Sequence, residues 1–281
     1  MNSHSSLFAV DHCRPLVMGV VNITPDSFSD GGKLYASGRP DVDSIVSWAA
    51  KLIDQGADIL DIGGQSTRPG ARPVTESEEI ERVIPALAAL ARRFDVPLSV
   101  DTSVPAVMKL AAQEGAAMIN DVYALRFPGA IQAAAETKLP VVLMHMQGEP
   151  RTMQAAPQYD DVASEVGDFL AGRVLACEAA GIDRNRLAID PGFGFGKTLE
   201  HNMSLFRALP GFAAMGLPVL VGLSRKRMIG ELLDKPVADR VYGSIAIAML
   251  AAQRGVSMIR VHDVAGTVDA LKVLAAIESY N

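Results

Sequence analysis

Polar and charged side chains recur directly after short apolar segments along the whole chain. These positions are Asn22, Asp61, Thr67, Arg68, Asp101, Thr102, Asn120, Asp121, His145, Asp190, Ser224, Arg225, Lys226, Arg260 and His262. Asp, Asn and Thr at such positions often cap the next helix, whereas a cation is unfavourable at the positive end of a helix. Capping therefore does not explain Lys226, Arg260 and His262, and these cations indicate a binding site.

The residue types predict a site with two parts. Arg68 and the three cations would hold an anion. Asn22, Asp101, Asn120 and Asp190 offer carboxylate and amide groups that suit the N–H groups of a flat ring such as an amino-pyrimidinone. Charge-assisted hydrogen bonds of this kind are about twice as strong as neutral ones. The sequence therefore predicts one subsite for an anion and one for a ring rich in donors.

Other polar positions favour structural roles or leave the role open. We expect Asp61, Thr102 and Asp121 to have capping or structural roles. His145 lies between Met144 and Met146 at the end of an apolar segment. Both packing inside the fold and a role in the site are compatible with that position.

The segment 191–198, PGFGFGKT, ends like a phosphate-binding P-loop. The P-loop pattern requires Gly at its first position, where this chain has Pro191. We therefore interpret the glycines as residues that allow a tight turn and a close approach of backbone to a ligand.

Composition limits the class of protein. Of the 281 residues, 49% are hydrophobic and 21% are charged, so the chain can bury a large core. The net charge of -6 argues against a nucleic-acid-binding surface. Cys13 and Cys177 lie far apart without a metal-ligand spacing, which predicts ordinary thiols in a reducing compartment. With no signal-peptide pattern and no long apolar run, we expect a soluble cytoplasmic protein with no membrane partner.

Eight short apolar segments alternate with longer amphipathic, Ala-rich segments, a pattern typical of βα units. The predicted strands are 16–21, 59–62, 98–100, 117–119, 141–144, 187–189, 219–221 and 258–261. The predicted helices are 41–56, 77–94, 104–115, 128–138, 161–181, 199–209, 240–254 and 266–278.

Strands that are apolar throughout suit a parallel sheet covered on both faces. Eight such units favour a closed (β/α)8 TIM barrel over an open sheet, as one α/β domain spanning 1–281 with 1–14 as an N-terminal extension. Active sites of such barrels lie at the carboxyl ends of the strands, where the polar residues fall. The segments 22–40 and 63–76 are predicted to be long loops beside that site.

Seven motifs, in order along residues 16 to about 278, resemble those of the dihydropteroate synthases. The two longest are the loops 19–32 (GVVNITPDSFSDGG) and 61–71 (DIGGQSTRPGA). The others are SVDT at 99–102, IND at 119–121, DPGFGFGK at 190–197, SRK at 224–226 and RVHD at 260–263. The resemblance implies a TIM barrel that condenses (7,8-dihydropterin-6-yl)methyl diphosphate with 4-aminobenzoate to give 7,8-dihydropteroate and diphosphate in folate biosynthesis.

The resemblance also implies roles for individual residues. The pterin would be bound by Asp101, Asn120, Met144, Asp190, Phe195, Gly222 and Lys226. The diphosphate would be bound by Asn22, Thr67, Arg68, Arg260 and His262, with Mg2+ on Asn22. The 4-aminobenzoate would contact Pro25, Phe28, Thr67, Pro69, Lys226 and Arg227. Asp101, Lys226, Arg260 and His262 would be the catalytic residues, and the helices near the C-terminus would form a homodimer.

Two residues depart from the family pattern. Gln65 stands where Glu is common, and Arg227 stands where a Ser commonly follows the Ser-Arg-Lys triplet. The backbone N–H of Arg227 could still bind the aminobenzoate carboxylate, whereas a serine hydroxyl is missing. The 4-aminobenzoate half of the site therefore follows the family less closely than the other half.

Two other functions share part of this pattern. A pterin-dependent methyltransferase would use similar Asp and Asn residues but has no reason to carry Arg260, His262 and the two signature loops. A non-catalytic pterin-binding paralogue would not need the complete set of cations. Release of diphosphate that depends on 4-aminobenzoate would separate these functions.

Overall fold

A computed structural model describes residues 7–8, 13–24, 34–36, 39–66, 72–150 and 152–279. Eight parallel strands form its central sheet. They are β1 (Leu16–Asn22), β2 (Ile59–Gly63), β3 (Leu98–Asp101), β4 (Met118–Asp121), β5 (Val141–Met144), β6 (Leu187–Asp190), β7 (Leu220–Gly222) and β8 (Met258–Val261). A two-stranded hairpin, Tyr35–Ala36 with Arg39–Pro40, follows β1.

The strands pair in the order β6-β5-β4-β3-β2-β1-β8-β7. A parallel bridge between Ile189 and Val219 joins the two ends of this series. The register places Asn22 beside Gly63, and Asp101 beside both Gly63 and Asn120. The predicted TIM barrel is thus confirmed, and its strands bring residues from distant parts of the sequence to one rim.

Helices surround the sheet. They are α1 (Val42–Asp54), α2 (Glu76–Ala91), α3 (Pro105–Gln113), α4 (Ala130–Thr137), α5 (Val162–Ala179), α6 (Leu199–Arg207), α7 (Leu209–Ala213), α8 (Arg227–Leu233), α9 (Val241–Ala252) and α10 (Val264–Ser279). All eight predicted helices are present, but the one predicted at 199–209 ends at Arg207, and a separate short helix begins at Leu209. The seven-residue α8 was not predicted, because it is short and Gly230 lies within it.

Side chains fix where several of these helices begin. Thr75 and Glu78 form a capping box at the start of α2. The Asp161 carboxylate accepts hydrogen bonds from the N–H groups of Ala163 and Ser164 at the start of α5. None of the helices in the described part of the chain is long and apolar enough to cross a membrane.

The sheet separates two apolar regions. Between its outer face and the helices lies the main core. Inside the barrel, toward the amino ends of the strands, a second cluster consists of Leu16, Met18, Ile59, Met118, Val142, Ala188, Leu220 and Met258. Leu7 and Phe8 pack against this inner cluster, so part of the predicted N-terminal extension covers the bottom of the barrel.

Candidate active site

Side-chain alternation along the strands places the polar residues above the inner apolar cluster. Met18, Ile59 and Met258 belong to that cluster. Because successive side chains point to opposite faces, residues two or four positions further along each strand lie on the same inner face. These residues are Asn22, Asp61, Asp101, Asn120, Met144, Asp190, Gly222 and Arg260. Eight strands therefore supply one site at the carboxyl end of the barrel.

We call the site at the carboxyl end of the barrel the mouth. Arg260 is the centre of its polar network. Its Nε donates to Asp61 Oδ2 at 2.6 Å, and its Nη2 donates to Asp101 Oδ2 at 3.1 Å. The amide Nδ2 of Asn120 also donates to Asp61 Oδ2, at 3.3 Å. Asp61 is fully buried, and its Oδ1 has no hydrogen-bond partner among the described residues. One guanidinium thus holds two carboxylates of the site together.

Asp61 does not cap a helix, because it lies inside β2 and binds Arg260 across the barrel. Thr102 and Asp121 do have structural roles. Thr102 Oγ1 accepts from the N–H of Val104, and the Asp121 carboxylate accepts from the N–H groups of Tyr123 and Leu125. A charged residue in the otherwise apolar segment ILDIG was the sequence signal that could have identified Asp61.

The local charges shift the pKa of Asp101. Burial raises the pKa of its carboxyl group, and the nearby Asp61 raises it further, whereas Arg260 opposes the shift. Asp190 is also buried, and burial raises its pKa against the attraction of Lys226. Asp190 Oδ1 accepts a hydrogen bond of 2.7 Å from the Gly192 N–H.

Lys226 faces the same mouth from the turn after β7. Its ammonium donates to the Phe193 carbonyl and lies 4.5 Å from the centre of the Phe195 ring. Burial lowers the pKa of Lys226 to about 8, although Asp190 opposes this. A side chain at Gly222 would lie beside Lys226 and Arg260, since a Cβ there would be 3.9 Å from Lys226 Nζ. Glycine at this position keeps space open between two cations.

Apolar residues form one wall of the mouth. Met144 packs with Val122, Met146 and Met153, and Phe195 packs against this group. The flat faces of a ring could contact such a wall while its edge binds the carboxylates. The structure thus brings together all seven residues predicted for the pterin.

His262 and the turn after β7 are joined by hydrogen bonds. The His262 backbone N–H donates to Ser224 Oγ at 3.2 Å, and its Nδ1 lies 3.1 Å from the same oxygen. Arg225 binds the Asp263 carboxylate and has a φ of 56°. These contacts fix the Lys226 turn against the end of β8, which carries Arg260 and His262.

The predicted 4-aminobenzoate and diphosphate loops are described only in part. Pro25, Phe28, Thr67, Arg68 and Pro69 lie outside the described residues, so their roles stay predictions. Asn22 and Gln65 precede these segments. Arg227 is described: it begins α8, its side chain is 79% exposed, and it pairs with Glu231.

The alternatives for His145 are resolved in favour of packing. The side chain is buried, its ring meets the edge of Phe169 at 4.9 Å between centres, and its Nδ1 lies 2.9 Å from Lys197 Nζ. Burial and the charge of Lys197 lower the pKa of His145 to about 3.

Within the described residues, no group of three or more His, Cys, Asp or Glu side chains could hold a metal ion by itself.

Comparison with known proteins agrees with this geometry. Residues 18–262 match the family model described as "Pterin binding enzyme". The dihydropteroate synthase of Escherichia coli strain K12 is 52% identical over 268 residues, covering 95% of this chain and 93% of its own. The Yersinia pestis dihydropteroate synthase, solved as a sulfonamide drug complex, is 50% identical with a TM-score of 0.92, covering 96% of this chain and 97% of its own.

The Xanthomonas albilineans dihydropteroate synthase, solved in complex with 7,8-dihydropteroate, is 51% identical with a TM-score of 0.85 and 95% of both chains covered. These likenesses extend over nearly the whole chain, including every described strand that contributes to the mouth. The chain therefore belongs to the pterin-binding enzymes and, within them, to the dihydropteroate synthase family.

Proposed function

We propose that the chain condenses (7,8-dihydropterin-6-yl)methyl diphosphate with 4-aminobenzoate, giving 7,8-dihydropteroate and diphosphate in folate biosynthesis. The observation that carries the proposal is the mouth itself, in which Arg260 and Lys226 stand among Asp61, Asp101 and Asp190. The product bound to the related Xanthomonas enzyme supports the same reaction for this chain.

The carboxylates and amide would bind the edge of the pterin. Asp190 is fixed by the Gly192 N–H and faces Lys226, so it can accept from ring N–H groups while Lys226 donates to ring acceptors. Asn120 offers both a donor and an acceptor. Met144 and Phe195 supply apolar surface for the ring faces. This set distinguishes an amino-pyrimidinone from a ring without its donor pattern.

The cations at the end of β8 would hold the diphosphate. Arg260 offers donors in a fork that suits phosphate oxygens, and His262 follows directly after the end of β8. Each positive contact strengthens as negative charge develops on the departing oxygen. Arg68 and Thr67 are proposed to complete this subsite from the loop after β2.

Asn22 is the proposed protein ligand of Mg2+. It lies at the end of β1 beside Gly63, with Asp101 on the next strand. A single amide oxygen fits an ion that takes its remaining ligands from substrate phosphates and water, as Mg2+ usually does. When bound, the ion would neutralise charge on the diphosphate.

Departure of the diphosphate would leave positive charge on the exocyclic methylene and the dihydropterin ring. The Asp101 carboxylate is placed to stabilise that charge electrostatically. The aryl amine of 4-aminobenzoate then attacks the methylene carbon and loses a proton. We propose no covalent enzyme intermediate, since none of the described residues of the mouth is arranged as an activated nucleophile.

We further propose a homodimer. Exposed large apolar side chains lie on α8, on α9 and on the segment between them, and the exposed fraction of Tyr242 reaches 82%. The others in this region are Leu232, Leu233, Val237 and Leu250. Apolar patches of this kind commonly mark protein interfaces. Replacement of Tyr242 and Leu233 by Glu should yield monomers in sedimentation velocity, and an unchanged sedimentation coefficient would argue against this interface.

The proposed location is the cytoplasm, in keeping with two free cysteines, exposed Cys13 and buried Cys177.

The reaction is tested by a coupled assay for diphosphate release from the pterin diphosphate. Release should require 4-aminobenzoate and should be lost in Asp190→Asn, which keeps the shape of the side chain but removes its charge. Release without 4-aminobenzoate at the same rate would contradict the proposal. Positional isotope exchange within the diphosphate, measured without 4-aminobenzoate, tests whether C–O cleavage comes first.

A further inference from the structure

Lys197 is a buried cation outside the set of residues that would bind the substrates. It is 3% exposed and follows the glycine-rich segment after β6, at the position of the P-loop lysine. A P-loop lysine reaches a phosphate, but the Lys197 ammonium instead donates to three groups of the protein. These are Gly192 O at 2.9 Å, Phe195 O at 3.1 Å and His145 Nδ1 at 2.9 Å.

The three acceptors use all three protons of the ammonium group. His145 can accept at Nδ1 only as the neutral ring with its proton on Nε2. Burial lowers the pKa of Lys197 to about 7, against the attraction of Asp190, so the site disfavours the charged form. A buried cation with complete hydrogen bonding is therefore an arrangement that the fold maintains at a cost.

Both carbonyl acceptors belong to residues next to the pterin pocket. The N–H of Gly192 binds Asp190, and the ring of Phe195 lies against the ammonium of Lys226. Between them, the Phe193 carbonyl accepts from Lys226 directly. The path of the segment leaves little freedom at Gly192, whose φ is 71° and where a Cβ would lie 1.8 Å from the carbonyl oxygen of His145.

We propose that Lys197 is a positioning residue for the pterin subsite: by binding the carbonyls of Gly192 and Phe195 from below, it holds segment 191–197 in the conformation that orients Asp190 and Lys226. The inference rests on the proposed function, because it takes Asp190 and Lys226 as the residues that bind the pterin. Lys197 itself would touch no substrate but would set the geometry of Asp190 and Lys226, which would bind the pterin.

The test measures binding by calorimetry with two probes, 6-hydroxymethylpterin and inorganic diphosphate. Lys197→Met removes the three donors while keeping an unbranched chain of similar length. We expect the Kd of the pterin probe to rise about 10- to 100-fold, the range for lost hydrogen bonds to a charged group. The Kd of inorganic diphosphate should change less than about twofold, because Arg260 and His262 receive no contact from Lys197. Equal weakening of both probes would indicate general loss of structure and would overturn the proposal.

Tyr159→Phe is the matched control. Tyr159 Oη donates to Gly196 O at 2.9 Å, so this variant also removes one hydrogen bond from the same segment. The pterin Kd should then rise less than about tenfold, the upper range for one neutral bond. A loss as large as that of Lys197→Met would show that any loosening of the segment suffices, and would overturn the specific role of Lys197.

Two further variants keep the result interpretable. Lys197→Gln retains two N–H donors without the charge and should bind the pterin probe more tightly than Lys197→Met; it also serves as the test if the Met variant does not fold. Lys226→Met distinguishes a failure of the proposed pterin site from a failure of the positioning role of Lys197. If Lys226→Met binds the pterin probe normally, the proposed pterin site is wrong; if it loses binding while both Lys197 variants bind normally, only the positioning role is wrong.

Discussion

The two ends of the barrel interior differ although the same strands build both. Toward the amino ends, the inner face carries the apolar cluster of Met18, Ile59 and Met258. Two residues further along the strands, the same face carries Asp61 and Arg260, which form a buried ion pair. Backbone pairing is continuous through both layers. The sheet thus fixes where side chains lie, and only their types decide whether a layer stabilises the fold or binds a ligand.

This difference has an energetic meaning. Burying an apolar side chain contributes about 1.5–3 kcal/mol to stability. A buried ion pair contributes little or nothing net, because desolvation offsets the attraction between the charges. We infer that the apolar layer carries the stability of the barrel interior, and that the polar layer is maintained for the substrates.

Arg260→Met should have the largest effect. It leaves Asp61 buried without its cation, which should lower the free energy of unfolding by about 3–5 kcal/mol. Loss of the proposed diphosphate contact should lower kcat/KM on the order of 1000-fold. Urea unfolding and steady-state kinetics measure the two effects.

The double variant Asp61→Leu with Arg260→Met sharpens the result. Because the fully buried Asp61 is removed together with its cation, and only the less buried Asp101 loses a contact with Arg260, its stability should lie well above that of Arg260→Met, while activity stays lost. A double variant as unstable as Arg260→Met alone would show that the polar layer stabilises the fold.

Met18→Ala tests the opposite layer. Met18 is fully buried within the inner apolar cluster, so truncation should lower the free energy of unfolding by about 2–5 kcal/mol. At a temperature where the variant is folded, kcat/KM should remain within about twofold of wild type, since no site residue contacts a substrate differently. Exposed Val273 on α10 provides the control, because Val273→Ala should change neither quantity. A large loss of activity in folded Met18→Ala would mean that the two layers are coupled.

Much of the fold follows from the sequence. Apolar runs such as 141–144 mark strands because a parallel sheet covered on both faces excludes polar residues. Helix α8 escaped prediction because seven residues with an internal glycine carry too weak a periodic signal. The end of α6 at Arg207 was not predicted either, because Leu209 and Pro210, which begin α7, continue the same apolar pattern.

The site was predictable to the extent that its residues end strands. Asp101, Asn120 and Asp190 lie at such ends, and the alternation of side-chain direction along each strand points them into the mouth. The ion pair of Asp61 was not predicted, because its partner Arg260 lies 199 residues away in sequence. Lys197 was not identified as a contact of His145 for the same reason, since spacing along the chain does not reveal which side chains meet across neighbouring loops.

The pH dependence of the reaction tests the electrostatics of the polar layer. Burial and Asp61 raise the pKa of Asp101, and the carboxylate form is the one that would stabilise the cation. kcat/KM should therefore fall as pH decreases through this raised pKa, and the acid limb should lie above the usual aspartate pKa of about 3.9. Asp101→Asn should lower kcat/KM and remove this limb.

The control for that limb is Asp58→Asn, at the amino end of β2, where the carboxylate binds Arg14 and the Val17 N–H. Its acid limb should match that of wild type. A wild-type limb near pH 4, with the fold intact by circular dichroism, would mean that Asp101 is not the group whose ionisation governs the reaction.

Arg227→Ser, which restores the common family residue, should have the smallest effect. The Arg227 side chain is 79% exposed and pairs with Glu231 one helical turn away, an interaction worth about 0.3–0.5 kcal/mol at most in such a setting. Its backbone N–H lies in the first turn of α8, where no helical carbonyl accepts it, and serine retains this donor. The KM for 4-aminobenzoate should thus change less than about threefold, and the matched variant Glu231→Gln, which breaks the ion pair alone, should behave alike. A tenfold rise in KM for Arg227→Ser but not for Glu231→Gln would show that the guanidinium itself binds the aminobenzoate carboxylate. The substrate-binding residues would then extend from the polar layer of the barrel interior to the exposed start of α8.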